Sequence, residues 1–101
     1  MLVLTRRADE KLIIGSAELN LFGIANRASI FDMNINGQHS TVVVRQYQPE
    51  TVEIDGHDVT LHFLGRTQNQ TRVGIDAPAD VRIFRAELAD KLRHKKTLSW
   101  G

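Results

Sequence analysis

The reading of the fold turns on Thr51-Val52-Glu53-Ile54-Asp55-Gly56-His57-Asp58-Val59-Thr60-Leu61-His62-Phe63-Leu64-Gly65. Val59, Leu61 and Phe63 alternate with Asp58, Thr60 and His62. Successive side chains of a strand point to opposite faces, so this alternation marks a strand with one buried face. Thr51–Ile54 is a shorter strand ahead of it. Asp55-Gly56 between the two tolerates the positive φ that a two-residue hairpin loop requires. The run is therefore a β-hairpin.

The same period extends in both directions. Upstream, Leu2, Leu4 and Arg6 alternate with Val3, Thr5 and Arg7; Leu12 and Ile14 alternate with Lys11 and Ile13, and Gly15 ends that run; Leu19 and Leu21 alternate with Glu18 and Asn20. Asn36-Gly37 separates Ala28–Ile35 from Ser40–Gln46 as a second hairpin turn. Downstream, Val73 and Ile75 alternate with Arg72 and Gly74, and Val81, Ile83 and Arg85 with Arg82 and Phe84. Gln68-Asn69-Gln70 suits a further reversal, and Pro49 and Pro78 fall in connections, where a missing N–H does no harm. Only Arg85–Arg93 reads as helix, with Leu88 and Leu92 on one face and Lys91, Arg93, Lys95 and Lys96 gathered at its C-terminal end, where positive charge suits the helix dipole. Thr97–Gly101 reads as a frayed tail. The expected fold is mainly β: a small antiparallel sandwich or barrel of short strands, one domain over residues 1–101, with one C-terminal α-helix.

Composition narrows the function. A chain of 101 residues is one ordinary domain, and 42% hydrophobic with 25% charged residues is enough for a packed core. Thirteen Lys+Arg against twelve Asp+Glu leave a formal charge of +1, so a nucleic-acid binder must cluster its basic residues. The absence of Cys removes disulfides, thiolate metal sites and Cys nucleophiles. Met1–Arg7 reads as neither a signal peptide nor a membrane span, which makes the cytoplasm the expected location. There is no Gly-rich phosphate loop and no paired-His helix motif. His57 and His62, five residues apart, fall on opposite faces of one strand, and Ser and Asp are scattered. The expectation is no catalytic residue, no metal, no cofactor and no enzyme.

Two segments carry a resemblance. One is Met1-Leu2-Val3-Leu4-Thr5-Arg6-Arg7, with Glu10 and Ile14-Gly15 behind it. The other runs from Asp58–Gly65 through Asn69-Gln70-Thr71-Arg72-Val73-Gly74-Ile75-Asp76-Ala77-Pro78 to Val81-Arg82-Ile83-Phe84-Arg85-Ala86-Glu87. Together they resemble the CsrA/RsmA family of RNA-binding translational regulators. The resemblance implies a sequence-selective post-transcriptional regulator that holds GGA-containing hairpin loops of mRNA leaders and regulatory small RNAs. It implies blocked translation initiation or altered message stability, and an interwoven homodimer in which strands of two chains complete each sheet. By residue, it implies an RNA site of Leu4, Thr5, Arg6 and Arg7 on the first strand and Ile83, Phe84 and Arg85 on the last, Arg85 foremost, with Arg72 and Glu87 near it. The residue types suit the task. Leu4 and Ile83 offer apolar surface to an unstacked base, and arginine presents a planar fork of donors that lysine cannot copy. Each has a structural alternative: Arg6 and Arg7 as solvated edge charges, Arg85 or Arg72 and Glu87 in ion pairs, Leu4 in the core. The chain departs from the family pattern at Asp9 and Gln68, where Gly is usual, and at Ala86, where an acid is usual. A competing function is a protein-interaction module of the same fold that modulates a family member or an antagonist, with weak or no RNA binding.

About forty extra central residues set the chain apart from typical members. One reading makes residues 16–56 an insertion in a homodimer. The other makes the chain an internal repeat, with halves at 1–36 and 41–96. Glu10, Leu12, Ile14, Glu18 and Leu19 find counterparts in Glu50, Val52, Ile54, Asp58 and Val59 at one shift, and Leu21-Phe22-Gly23 echoes Phe63-Leu64-Gly65 at a shift two residues longer. On the repeat reading, slightly favoured, one chain holds both halves of the usual dimer. One RNA site then joins the intact first strand to the intact last strand.

Overall fold

The computed structural model describes residues 1–85. Nine strands follow one another: β1 (Leu2–Arg7), β2 (Lys11–Ile14), β3 (Ala17–Ala25), β4 (Ala28–Ile35), β5 (Gln38–Arg45), β6 (Glu50–Ile54), β7 (His57–Arg66), β8 (Gln70–Asp76) and β9 (Ile83–Arg85). The hairpin expected at 51–65 is β6–β7, with Ile54 opposite His57 and both Asp55 (φ 54) and Gly56 (φ 79) in the left-handed region. Asn36 (φ 52) and Gly37 (φ 85) close β4–β5 in the same way. Positive φ at both central residues is the signature of a turn whose twist matches its strands. One expectation changes. Val81 is not in a strand, because its N–H donates to the Pro78 carbonyl at 3.0 Å in a turn that delays β9 to Ile83. Arg85, read both as the end of the last strand and as the first residue of the helix, lies in β9. The helix expected to Arg93 lies outside the described residues. No helix among the described residues is long and apolar enough to cross a membrane.

The strands form two antiparallel sheets, ordered β1-β8-β7-β6 and β5-β4-β3-β2-β9. They enclose one core. Phe31, Leu12, Ile14, Leu19 and Leu21 from the second sheet pack with Ile54, Val59, Leu61, Val73 and Ile75 from the first. Two buried hydroxyls meet across the sheets, Ser29 Oγ on β4 and Thr71 Oγ1 on β8. Each satisfies the other, as a buried polar group must.

The routing of the chain fixes the margins. β1 pairs not with β2 but with β8, and β5 pairs with β4. Leu12 faces Leu19 in the β2–β3 hairpin, and Val52 faces Val59, forty residues on, in β6–β7. Each long strand then bulges, β3 after Leu21 and β7 after Phe63. The plans of the two sheets differ at one edge. β9 covers the outer edge of β2, whereas no strand among the described residues covers the outer edge of β6. β5 touches β6 and β7 of the other sheet. That stacking leaves β1 and β9, the remaining edges, on the opposite margin.

Candidate functional site

The β1 and β9 edges gather residues from both ends of the described chain. Directly opposed residues of an antiparallel pair project from the same face of the sheet. Leu4 opposes Val73 and Arg6 opposes Thr71, both partners buried, so Leu4 and Arg6 face inward from β1. Ile83 opposes Ile14 and Arg85 opposes Leu12, again both buried, so Ile83 and Arg85 face inward from β9. The four side chains line the mouth between the sheets. Leu4 and Ile83 pack against the core and remain half-exposed. Arg85 is exposed. Thr5, Arg7 and Arg72 lie on the outer face, with Thr5 directly opposite Arg72 and both arginines exposed. Phe84, opposite Ile13, also faces outward and is half-buried. β1 and β9 are outer strands of different sheets on one margin, not hydrogen-bonded neighbours. Glu87 lies outside the described residues.

Arg6 has a different environment from the other arginines. Its side chain is only 3% exposed. Its Nε donates to the Thr5 carbonyl at 2.9 Å, and a terminal nitrogen donates to the Lys11 carbonyl at 3.2 Å. Glu10 stands 4.0 Å from its other terminal nitrogen. This guanidinium fastens β1 to the start of β2, across the three residues where the chain passes from one sheet to the other. The crossing is reinforced by Asp9 N–H to the Leu21 carbonyl at 2.6 Å and Arg7 N–H to Glu10 Oε1 at 2.6 Å. Asp9 takes a φ of 71, the left-handed conformation for which glycine is the usual choice. Gln68, the other departure, does not adopt positive φ.

The position of β9 depends on a second anchor. The Gly15 N–H donates to the Arg82 carbonyl at 2.8 Å and so extends the β2–β9 ladder. Beside it, Ser16 donates from its backbone N–H (2.9 Å) and its hydroxyl to the Asp55 carboxylate. The Ser16 hydroxyl, then the Ser16 backbone N–H, and more weakly the nearby His57, hold the Asp55 carboxyl below its ordinary value. The tips of the β2–β3 and β6–β7 hairpins are thereby clasped.

Beside Arg7 is a groove of about 510 Å³ that the sequence did not announce. Phe22, 51% exposed, stands on the β3 bulge at one side, and Arg66, Gln68 and Asn69 at the other. Arg66 donates to the Thr67 and Gln68 carbonyls at 3.0 and 3.1 Å and so shapes the loop. The signal was present in Leu21-Phe22-Gly23. Two successive apolar residues before a glycine break the alternation, as a bulge does. The four histidines were expected to lack chemistry. Of the three described, each lies within 4 Å of a carboxylate: His39 of Asp32, His57 of Asp80 and His62 of Asp76.

The margin therefore offers apolar surface, an exposed arginine on its inner face, and an outer face carrying two more. Such a surface can hold a splayed base and its phosphates. No solved structure matches the chain. A model of the CsrA family, described as global regulator proteins, matches residues 35–94 as one continuous stretch from the end of β4 onward, and on that match over more than half of its length the chain belongs to the CsrA family.

Proposed function

We propose that the chain is a sequence-selective RNA-binding post-transcriptional regulator, and that it holds a GGA loop of a messenger leader or a regulatory small RNA at the β1–β9 margin. Binding there blocks translation initiation or alters message stability. The observation that carries the reading is the convergence of Leu4 and Arg6 with Ile83 and Arg85 on the inner faces of one margin within a single chain. Leu4 and Ile83 form the apolar floor. Arg85 grips guanine or phosphate with its fork of donors. Thr5, Arg7 and Arg72 follow the backbone along the outer face, Phe84 supports β9, and Arg6 positions β1 from beneath. Glu87 belongs to the same proposed site.

The single chain serves as a pseudo-dimer of halves 1–36 and 41–96. Three observations support this. The two sheets share one strand plan over four strands, with β9 added to the second, β1 and β5 each cross to the other half's sheet, and the family match begins just ahead of β5. On this reading Val42 and Val44 take the inward places of Leu4 and Arg6, and no counterpart of β9 among the described residues completes the second margin. One GGA site per chain follows.

A gel shift with a GGA hairpin tests the assignment. Arg85→Ala should weaken binding by about 1–3 kcal/mol while the circular dichroism spectrum stays that of the parent. Unchanged binding would remove Arg85 from the site. The edge of β6, which no strand among the described residues pairs, favours a second reading, a protein-interaction module that accepts a strand from a partner. That reading expects the hairpin to bind neither the parent nor the variant.

A further inference from the structure

The margin opposite β1 and β9 carries a feature that the proposed GGA site does not use. Tyr47 sits in the β5–β6 connection, 93% exposed, with a φ of 62. A bulky L-residue adopts that conformation rarely, and a ring so exposed gains nothing from packing. In the β1–β2 connection the residue at positive φ is Asp9, whose short side chain tolerates it. The Tyr47 turn is also held firmly. Gln46 N–H donates to the Arg27 carbonyl at 2.8 Å, and Gln48 N–H donates to the Arg45 carbonyl at 3.1 Å. A strained, well-anchored turn that displays an aromatic ring is a presentation device.

Its surroundings select the ligand. Tyr47 shares a groove of about 600 Å³ with Arg27, Arg45, Asn26 and Gln48. Both arginines are exposed, and neither has a carboxylate partner among the described residues. On its other side the turn borders His62, whose Nε2 lies 2.9 Å from Asp76 Oδ2, and Leu64 on the β7 bulge. No carboxylate among the described residues lines the groove. A protruding ring between free guanidinium groups and amides matches a polyanion that carries flat faces. Bases stack on aromatic rings regardless of sequence, and arginines take the adjoining phosphates.

We propose that Tyr47, Arg27 and Arg45 form a second, sequence-tolerant platform for single-stranded RNA. The platform lies apart from the β1–β9 margin and can engage the strand flanking a specific site. It stands on its own residues and does not require the GGA assignment.

The test is fluorescence anisotropy of a labelled twelve-nucleotide oligoadenylate, which contains no GGA, at low salt. The parent should bind it. Tyr47→Ser should weaken binding about tenfold, the loss of one stacked base. Tyr47→Phe should retain binding, because the ring and not the hydroxyl stacks, and Arg27→Ala should weaken it and flatten the salt dependence. Thermal denaturation verifies that each variant folds. Binding by Tyr47→Ser equal to the parent overturns the proposal. So does an equal loss in Arg85→Ala, which would place the oligonucleotide at the first margin. Failure of the parent to bind also overturns it, and would leave the exposed ring to a protein contact. Loss of GGA-hairpin binding in Arg85→Ala bears only on the first site, so the two readings fail separately.

Discussion

Arg6 and Arg7 are adjacent, identical in type and opposite in setting, and this makes them the sharpest test of the site. Arg6→Ala removes at least the two charge-assisted bonds to the Thr5 and Lys11 carbonyls, which are only partly screened by solvent. Bonds of this kind contribute about 1.5 kcal/mol or more each, so the pair amounts to about 3 kcal/mol. The Glu10 contact adds little, because it is at the limit of an ion pair and Glu10 is 36% exposed. For a domain of this size about 3 kcal/mol corresponds to a fall in Tm of roughly 12–24 °C. Arg7→Ala removes an exposed side chain and leaves the Arg7 backbone bond to Glu10 intact, so its Tm should move by no more than about 3 °C. The assay is thermal denaturation followed by circular dichroism, paired with a gel shift well below both transitions. Arg6→Ala should then melt early yet lose RNA affinity only in step with its unfolded fraction, whereas Arg7→Ala should melt normally and bind RNA more weakly. The reasoning is refuted if Arg6→Ala melts within about 5 °C of the parent while binding collapses, since that guanidinium would then reach the RNA directly.

Asp55 gives a pH test. Its folded-state pKa lies below the unfolded value, so its contribution is complete above the ordinary carboxylate range, near pH 4, and disappears as pH falls through the lowered folded value. Asp55→Asn should melt below the parent at pH 7, and the gap should close under acid; a gap that persists would assign the effect to something other than the carboxylate. Gly15 holds a φ of 55, and a Cβ there would meet the Asp55 carboxylate, so Gly15→Ala should cost about 1–2 kcal/mol in denaturant unfolding. Because both changes act on one clasp, the double variant should lose less than the sum. Leu61→Ala, at a side chain with no exposure, should cost about 2–5 kcal/mol in the same measurement. Light scattering should return the mass of one chain at low micromolar concentration, and a stable dimer there would argue for the insertion reading over the pseudo-dimer.

Strands and turns were legible because one face of each strand is buried, and burial writes a period of two. Asn36-Gly37 and Asp55-Gly56 were legible because few dipeptides tolerate positive φ twice in succession. What escaped has physical causes. Alternation placed Arg6 with Leu2 and Leu4 on the inner face, but its charge argued for solvent; partners such as the Thr5 and Lys11 carbonyls, which no local pattern reports, resolve the conflict. The bulges at Phe22 and Leu64 shift every later side chain to the other face, and one extra residue is a faint mark on a periodic pattern. The routing of β1 to β8 joins partners as far apart in sequence as Leu2 and Ile75, which no local window reports. Of the proposed site, the two edges were legible through the motifs they carry, but the groove between Phe22 and Arg66 was not, because it joins the β3 bulge to the β7–β8 connection of the other sheet.

The likenesses and differences between the two sheets fall in different places, and the division has a physical logic. Interior positions match: Leu12 and Leu19 against Val52 and Val59, Ile14 against Ile54, and Ser29 touching Thr71. A close-packed interior tolerates little change in volume, so these positions are held by their neighbours. The margins differ. One has Leu4, Arg6 and a covering β9; the other has Val42, Val44, a β6 edge that no described strand covers, and Tyr47. In a symmetric dimer every substitution appears at both margins, so neither can change without the other. On the pseudo-dimer reading that constraint is absent. The core must still satisfy both halves, whereas each margin answers only to its own ligand. Divergence then collects at the edges, which is where this chain shows it.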